Sequence, residues 1–310
     1  LDPVVLFFIL GAVAGLLKSD LRVPQSFYNT ISLYLLISIG IKGGIELYHS
    51  DADSVVIPIL ATLLLGVIIT NLAKFMLDKT NKFNAADAIS IATHYGSVSA
   101  VTFAVVISYV KSQGIAYENY MTVLLVMLEI PAIITGVILA AKASNKANNN
   151  IGVIIKEVFL GKSILLIVGG IFIGYTVGYT DNKQINFFFF DLFKGFLCLF
   201  MLEMGIITSE RIKDLKKVGL TLIAFGVVMP LISATLGILT GVFCGLSQGG
   251  TTILAAMAAS ASYIAAPAAM RLALPEANPT FSLTAALGIT FPFNVILGIP
   301  LYSYLTALFY

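Results

Sequence analysis

At 310 residues, with 58% hydrophobic and only 11% charged side chains, the chain lies far below the ~25% charge of a soluble domain. A net charge of +2 carries no signature of a nucleic-acid partner. The two cysteines, Cys198 and Cys244, both sit inside apolar runs, which excludes a disulfide framework and any cysteine metal-ligand spacing. Apolar runs recur along the whole length at about the 20 residues that a bilayer-spanning helix needs. They predict ten segments, at 4–17, 24–46, 55–77, 85–110, 118–141, 158–179, 187–209, 218–245, 250–273 and 280–309. Charged residues avoid the segment centres, where each would cost roughly 2.5–3.5 kcal/mol in lipid. A very apolar soluble core would need polar faces on its outer helices, and none is evident. The first segment, Val4–Leu17, lacks the positive n-region and the small-residue cleavage site of a secretory signal. The chain opens on Leu1 rather than Met, which leaves the true N-terminus open. Without tryptophan, an interfacial aromatic belt falls to Phe and Tyr, with Phe187–Phe190 and Phe309–Tyr310 as candidates.

The most polar linker, Lys142–Asn150, divides the segments five and five, and the two halves match in order. Gly11 and Gly15 of the first segment answer to Gly170, Gly174 and Gly178 of the sixth. In the second and seventh segments Gly40 lies over Gly205, and Pro131 of the fifth lies over Pro292 of the tenth. HYGSVSAVTFA (94–104) in the fourth corresponds to SASYIAAPAAM (260–270) in the ninth. All 18 lysines and arginines except Lys42, Lys111, Lys183 and Lys194 fall in or beside loops that follow odd-numbered segments. That side is expected to face the cytoplasm, with both termini outside. Five spans per half is an odd number, so the second half enters the bilayer upside down, as in many secondary transporters. The expected fold is therefore an all-α polytopic membrane protein of ten transmembrane helices in two inverted five-helix repeats, residues 1–147 and 148–310.

The fourth and ninth segments reach His94–Ser99 and Ser260–Ala265 about 15 Å from opposite faces, at 1.5 Å per residue. Both stretches are small, polar and poor as continuous helix, with Gly96, Ser97 and Ser99 in one and Ser260, Ser262 and Pro267 in the other. Proline suits the first turn of a helix rather than its interior. Each segment is thus expected to be two half-helices meeting at a break, the second halves starting near Ser99 and Ala266. Their N-terminal N–H groups and positive dipole ends then converge at mid-membrane and form an anion site. Carbonyls ending the first half-helices, with serine hydroxyls, suit Na⁺. The candidate substrate residues are Gly96, Ser97, Val98, Ser99, Ser262, Tyr263 and Ala265. The candidate sodium residues are Ser97, Thr102, Glu129, Ser260, Ser262 and Asn294, with no other metal and no organic cofactor. Glycine and serine at these positions also fit mere close helix packing. Glu129, about 14 Å into its segment, fits a cation ligand, a proton exchanger or a cap for the broken helix. His94 reads either as a proton carrier or as a hydrogen-bonded packing residue, and Glu203 and Lys42 as snorkelling side chains.

At HYGSVSAVTFA, EIPAIITG, ASASYIAAPAAMRLALPEANP and GITFPFNVILGIPLY the chain resembles the sodium-dependent bicarbonate transporter family, the SbtA-like permeases. The resemblance runs over nearly the whole length. It implies Na⁺-coupled bicarbonate uptake across a bacterial cytoplasmic membrane, a homotrimer, a gate domain of helices 1, 2, 6 and 7, and a core domain of helices 3–5 and 8–10. It also implies regulation by a PII-like cytoplasmic protein that binds adenine nucleotides. The chain departs from the best-known cyanobacterial form in the ninth segment. There an acidic residue closes a serine-rich stretch before two prolines, where this sequence has Ser260-Ala261-Ser262-Tyr263 and the single Pro267. Glu129 stands in place of the family's Asp. Three further readings compete: a carrier of another small carboxylate, a passive channel, and an intramembrane hydrolase that uses Ser97 with His94.

Overall fold

The structure, a computed structural model, describes residues 2–50, 52–143, 152–153, 156, 159–178, 183–212 and 214–310. Most of the polar linker lies outside the described residues, as do Lys146 and Lys213. Among the described residues all regular structure is helical. In chain order the helices are α1 (Pro3–Leu16), α2 (Gln25–Tyr48), α3 (Ala52–Thr80), α4 (Ala85–Gly96), α5 (Ala100–Ser112) and α6 (Met121–Ala143). There follow α7 (Lys162–Val177), the short α8 (Lys183–Asn186), α9 (Phe193–Ile212), α10 (Leu215–Phe243), α11 (Gln248–Ala258), α12 (Ala265–Ala273) and α13 (Pro279–Thr306). Each predicted segment overlaps one of these helices, or a pair of them where a break was expected, the seventh beginning in a π turn at Phe187–Asp191 that leads into α9. Six stretches of the described residues are long and apolar enough to cross a membrane, and α1 and α7 are shorter apolar helices.

Local chemistry starts several of them. Asp2 accepts from Val4 N–H at 2.8 Å with Pro3 in the first turn, and Asn84 accepts from Asp87 N–H at 2.7 Å. Asn278 caps α13 in the same way, ahead of Pro279. These side-chain acceptors satisfy N–H groups that have no partner inside the helix. The sixth segment yields a helix shorter at both ends than 158–179, and α10 is kinked at Gly219, where a φ of 77° suits glycine. The tenth segment is continuous but wound in wider π turns at Thr284–Thr290 and Asn294–Gly298. Pro292 and Pro300 supply no N–H, so the usual bonding pattern slips around them.

The outer surface is apolar. On α3, Ile57, Leu60, Leu64, Ile68 and Phe75 form an exposed stripe at helical spacing, while Leu65, Ile69, Ala73 and Leu77 on the opposite face are buried. A contiguous exposed apolar band of this kind suits lipid rather than water.

The helices pack in two groups. In one, α1 lies along α9 and α2 lies along α7. Glycine sets both contacts. A Cβ on Gly11 would strike the Leu202 carbonyl, and one on Gly205 the Phe8 carbonyl. Gly40 and Gly170 likewise leave each other no room for a side chain. Small residues let helix backbones approach this closely in membranes. In the other group α3 packs on α4 and α6, α10 packs on α11 and the winding of α13, and α3 meets α10. Two carboxylates tie loops across this group: Asp87 at the start of α4 accepts from Asn278 N–H at 2.7 Å, and Glu118 accepts from Ser247 N–H, the cap of α11.

Candidate functional site

Two chain breaks meet in the second group. The helix α4 stops at Gly96, Ser97 and Ser99 are extended, and α5 restarts at Ala100. The helix α11 stops at Ala258 and α12 restarts at Ala265. The breaks are laced reciprocally. Ser99 N–H donates to Ser260 Oγ at 2.9 Å, and Ser262 N–H donates to the His94 carbonyl at 2.8 Å. Serine hydroxyls then start the second half-helices: Ser99 Oγ accepts from Thr102 N–H at 3.1 Å and Ser262 Oγ from Ala266 N–H at 3.2 Å. The first-turn N–H groups of Ala100, Val101 and Ala265 have no acceptor within their own helices. Two positive helix ends therefore come together inside the protein.

Between them lies a cavity of about 10 Å³, lined by Val98, Ser99, Ala100, Glu129, Ser163, Ser262, Tyr263 and Ile264. That is room for roughly one water-sized species. The fold thus gathers Val98, Ser99, Ser262, Tyr263 and Glu129 at one point, with Glu129 only 4% exposed. No lysine, arginine or histidine lines it. The carboxylate and hydroxyls suit a cation and the two helix N-termini suit an anion, and the cavity as closed here has room for one such species at a time. The Ser163 hydroxyl is buried without a partner, and the Tyr263 phenol faces Ser99.

The other expected site residues sit around the cavity rather than in it. Ser97 is buried beside it, and its hydroxyl has no partner. Gly96 packs its Cα against Thr70, where a side chain would not fit. Ala265 is the first residue of α12, and Thr102 lies buried in the first turn of α5. Ser260 donates to the Met257 carbonyl at 2.7 Å while accepting from Ser99. Asn294 donates to the Ala259 carbonyl and accepts from Tyr302, both at 2.8 Å, so its amide braces the second break from below. Ser163 was not among the expected residues. It follows Lys162 at what reads as a membrane edge, and only the packing of α7 brings it to the cavity.

A much larger cavity, about 530 Å³, opens between α2, α5 and α9 beside Lys42, Glu46, Lys111, Tyr117 and Lys194. Lys42 pairs with Glu46 at 3.6 Å and Lys194 with Asp2 at 3.2 Å. Burial holds the Tyr117 phenol above its ordinary range, and the neighbouring Glu46 adds to the shift. A small apolar cavity shares Ile39 and Ala104 with this vestibule, and shares Ala100 and Ile264 with the site. The three lie in sequence from the vestibule toward the breaks, with Leu35, Leu36, Val101 and Phe200 lining the middle one. Glu203 is half-buried where α1 and α2 pack on α9, with its Oε2 buried and without a hydrogen-bond partner.

His94 Nδ1 is 2.7 Å from the Ser90 carbonyl, its Nε2 has no partner, and neither does Ser97 Oγ. The activated Ser–His pair that a hydrolase requires is not formed. A family model described as the Na⁺-dependent bicarbonate transporter superfamily matches residues 3–307. No curated protein matches the chain. The family consists of permeases rather than enzymes. With helices of spanning length, an apolar outer face and a family match from end to end, this multi-pass membrane protein belongs to the Na⁺-dependent bicarbonate transporter superfamily.

Proposed function

We propose that the chain imports a small anion, bicarbonate in the first instance, together with Na⁺, by moving a core domain against a gate domain. The observation that carries this reading is the pair of laced breaks, which aim two helix N-termini and Glu129 at one buried cavity. When the cavity widens to admit both ions, Na⁺ lies against Glu129 and the serine oxygens, and the anion takes the free N–H groups of α5 and α12. Na⁺ is the coupling ion, and no other cofactor takes part. Each ion offsets the repulsion that the other would meet alone, so neither binds well without its partner.

The gate is α1, α2, α7 and α9, and the core is α3–α6 with α10–α13. The partition is supported by the extensive packing of α1 on α9 and α2 on α7, and the two groups meet where α9 touches the winding of α13 and α2 touches α6. The halves 1–147 and 148–310 form an inverted repeat of ten spans. The crossed contacts support this: Gly11 meets the seventh segment as Gly170 meets the second, and Asp87 at the start of α4 ties to the cap of α13 as the cap of α11 ties to Glu118 ahead of α6. The basic loops face the bacterial cytoplasm and both termini face outward. A homotrimer and a PII-like cytoplasmic regulator belong to the same reading.

The deciding experiment is uptake of radiolabelled bicarbonate into proteoliposomes, with and without an inward Na⁺ gradient. Na⁺-stimulated uptake supports the proposal. Equal uptake without Na⁺ removes the coupling, and no uptake in either condition turns the reading to another small anion.

A further inference from the structure

A second cavity, about 90 Å³, lies on the other side of the breaks from the vestibule, between α4, α12 and the start of α13. Its polar lining is Ser90, His94, Arg271 and Ser282, with Pro267 and Met270 among its apolar walls, and no carboxylate takes part. His94 is 1% exposed. The Ser90 carbonyl, 2.7 Å from Nδ1, can only accept, so Nδ1 carries the hydrogen and the neutral ring leaves Nε2 as an acceptor. That Nε2 is buried with no donor to meet it. A buried acceptor left this way is costly and calls for a ligand or an ordered water. Arg271 makes no ion pair among the described residues. It offers only donors, in a fork that suits a planar oxyanion.

From these residues we infer a second anion station at His94 and Arg271, built for a small oxyanion that still carries one proton. The ligand's hydroxyl donates to Nε2, and its anionic oxygens accept from the guanidinium. Bicarbonate has both features in one small planar ion. Nitrate and chloride lack the hydroxyl, and carbonate lacks the proton. The inference deepens the function proposed above, since the His94 carbonyl already holds Ser262 N–H. An ion leaving the breaks toward the basic side would thus meet a site joined to them through one residue. Selection for a protonated oxyanion then resides in His94 rather than in the breaks, whose N–H groups accept any small anion.

The chain has two histidines, and His49 is exposed on the far end of α2, so His49→Gln leaves His94 as the sole imidazole. The test is the ¹⁵N spectrum of the purified, ¹⁵N-histidine-labelled protein, titrated at fixed pH with sodium bicarbonate and separately with sodium nitrate. The station predicts a saturable shift of Nε2 with bicarbonate and none with nitrate. It predicts that Arg271→Gln raises the half-saturating concentration by roughly tenfold or more, as loss of a charge-assisted bond should. It further predicts that the shift survives in Ser262→Leu, in which the breaks are obstructed. No shift would mean that the cavity holds only water, and the same shift with nitrate would mean that it does not select a protonated oxyanion; either result overturns the assignment. A shift unchanged in Arg271→Gln, or lost in Ser262→Leu, overturns the assignment as well. Vesicle uptake separates the two readings, because a protein that imports bicarbonate without the shift loses only the station.

Discussion

Replacing Ser262 tests the site through two substitutions of unequal size. Ser262→Ala removes one hydroxyl, the acceptor for Ala266 N–H at 3.2 Å, and keeps the Ser262 N–H bond to the His94 carbonyl. A net hydrogen bond contributes about 0.5–1.5 kcal/mol, so half-saturation for bicarbonate or Na⁺ should rise roughly 2- to 10-fold, with a similar maximal rate. Ser262→Leu differs in kind. The residue is 2% exposed and borders a cavity with room for about one water, and an isobutyl group is larger than a water molecule. Overpacking of this sort costs roughly 1–3 kcal/mol, which a stable fold survives. Uptake should therefore vanish while the protein still elutes as a single species and keeps its helical circular dichroism. Ile57→Leu, on the exposed stripe of α3, is the matched control and should transport as the parent does. Ser90 would be a poor control, because it lines the cavity at His94. Vesicle uptake of labelled bicarbonate decides the matter. Wild-type rates in a correctly assembled Ser262→Leu protein would refute the claim that ions bind between the breaks.

Glu129→Gln should raise the Na⁺ concentration for half-maximal uptake without loss of membrane insertion, since the cavity it lines then holds no formal negative charge; unchanged Na⁺ dependence would leave Glu129 a structural role. Ser163→Ala should weaken substrate binding by a few-fold, and a null effect in the same uptake assay would show that α7 only closes the cavity. Gly40→Val places a side chain against Gly170 and the Ile167 carbonyl and should lower the thermal unfolding midpoint of the purified protein, with an unchanged midpoint arguing against the close contact of α2 and α7. In a background lacking Cys198 and Cys244, cysteine at positions 82 and 146 should resist an impermeant thiol reagent added to sealed cells, while cysteine at position 112 should react; labelling at 146 would overturn the orientation.

The helices and the two breaks were legible because each rests on local chemistry. Apolar runs of fixed length, the proline at Pro267 and the serines at Ser99 and Ser262 act within a few residues of themselves. Glu129 was legible because a carboxylate amid apolar neighbours has few cheap explanations. What resisted reading depends on distant packing. Ser163 follows a lysine and carries no pattern, and its place at the cavity comes from α7 docking beside α6 and α12. Asn294 had the polarity of a ligand, but the nearby Ala259 carbonyl and Tyr302 hydroxyl use both ends of its amide. Glu203 reads from its position as a membrane-edge residue, and only the packing of α1 and α2 on α9 shows that one of its carboxylate oxygens is enclosed.

The pairing of α1 with α9 also bears on how the protein is made. Gly11 and Gly205 touch, yet nearly two hundred residues separate them along the chain. At about 5–20 residues per second, a ribosome needs roughly 10–40 s to bring the second after the first. Throughout that interval the close-packing face of α1, with its glycine backbone uncovered, has no mate in the nascent chain. The helix α2 waits as well, for the shorter time until α7 emerges. A newly inserted first half is therefore an open structure in the bilayer, dependent on lipid or on the insertion machinery to shield those faces until synthesis of the second half is nearly complete.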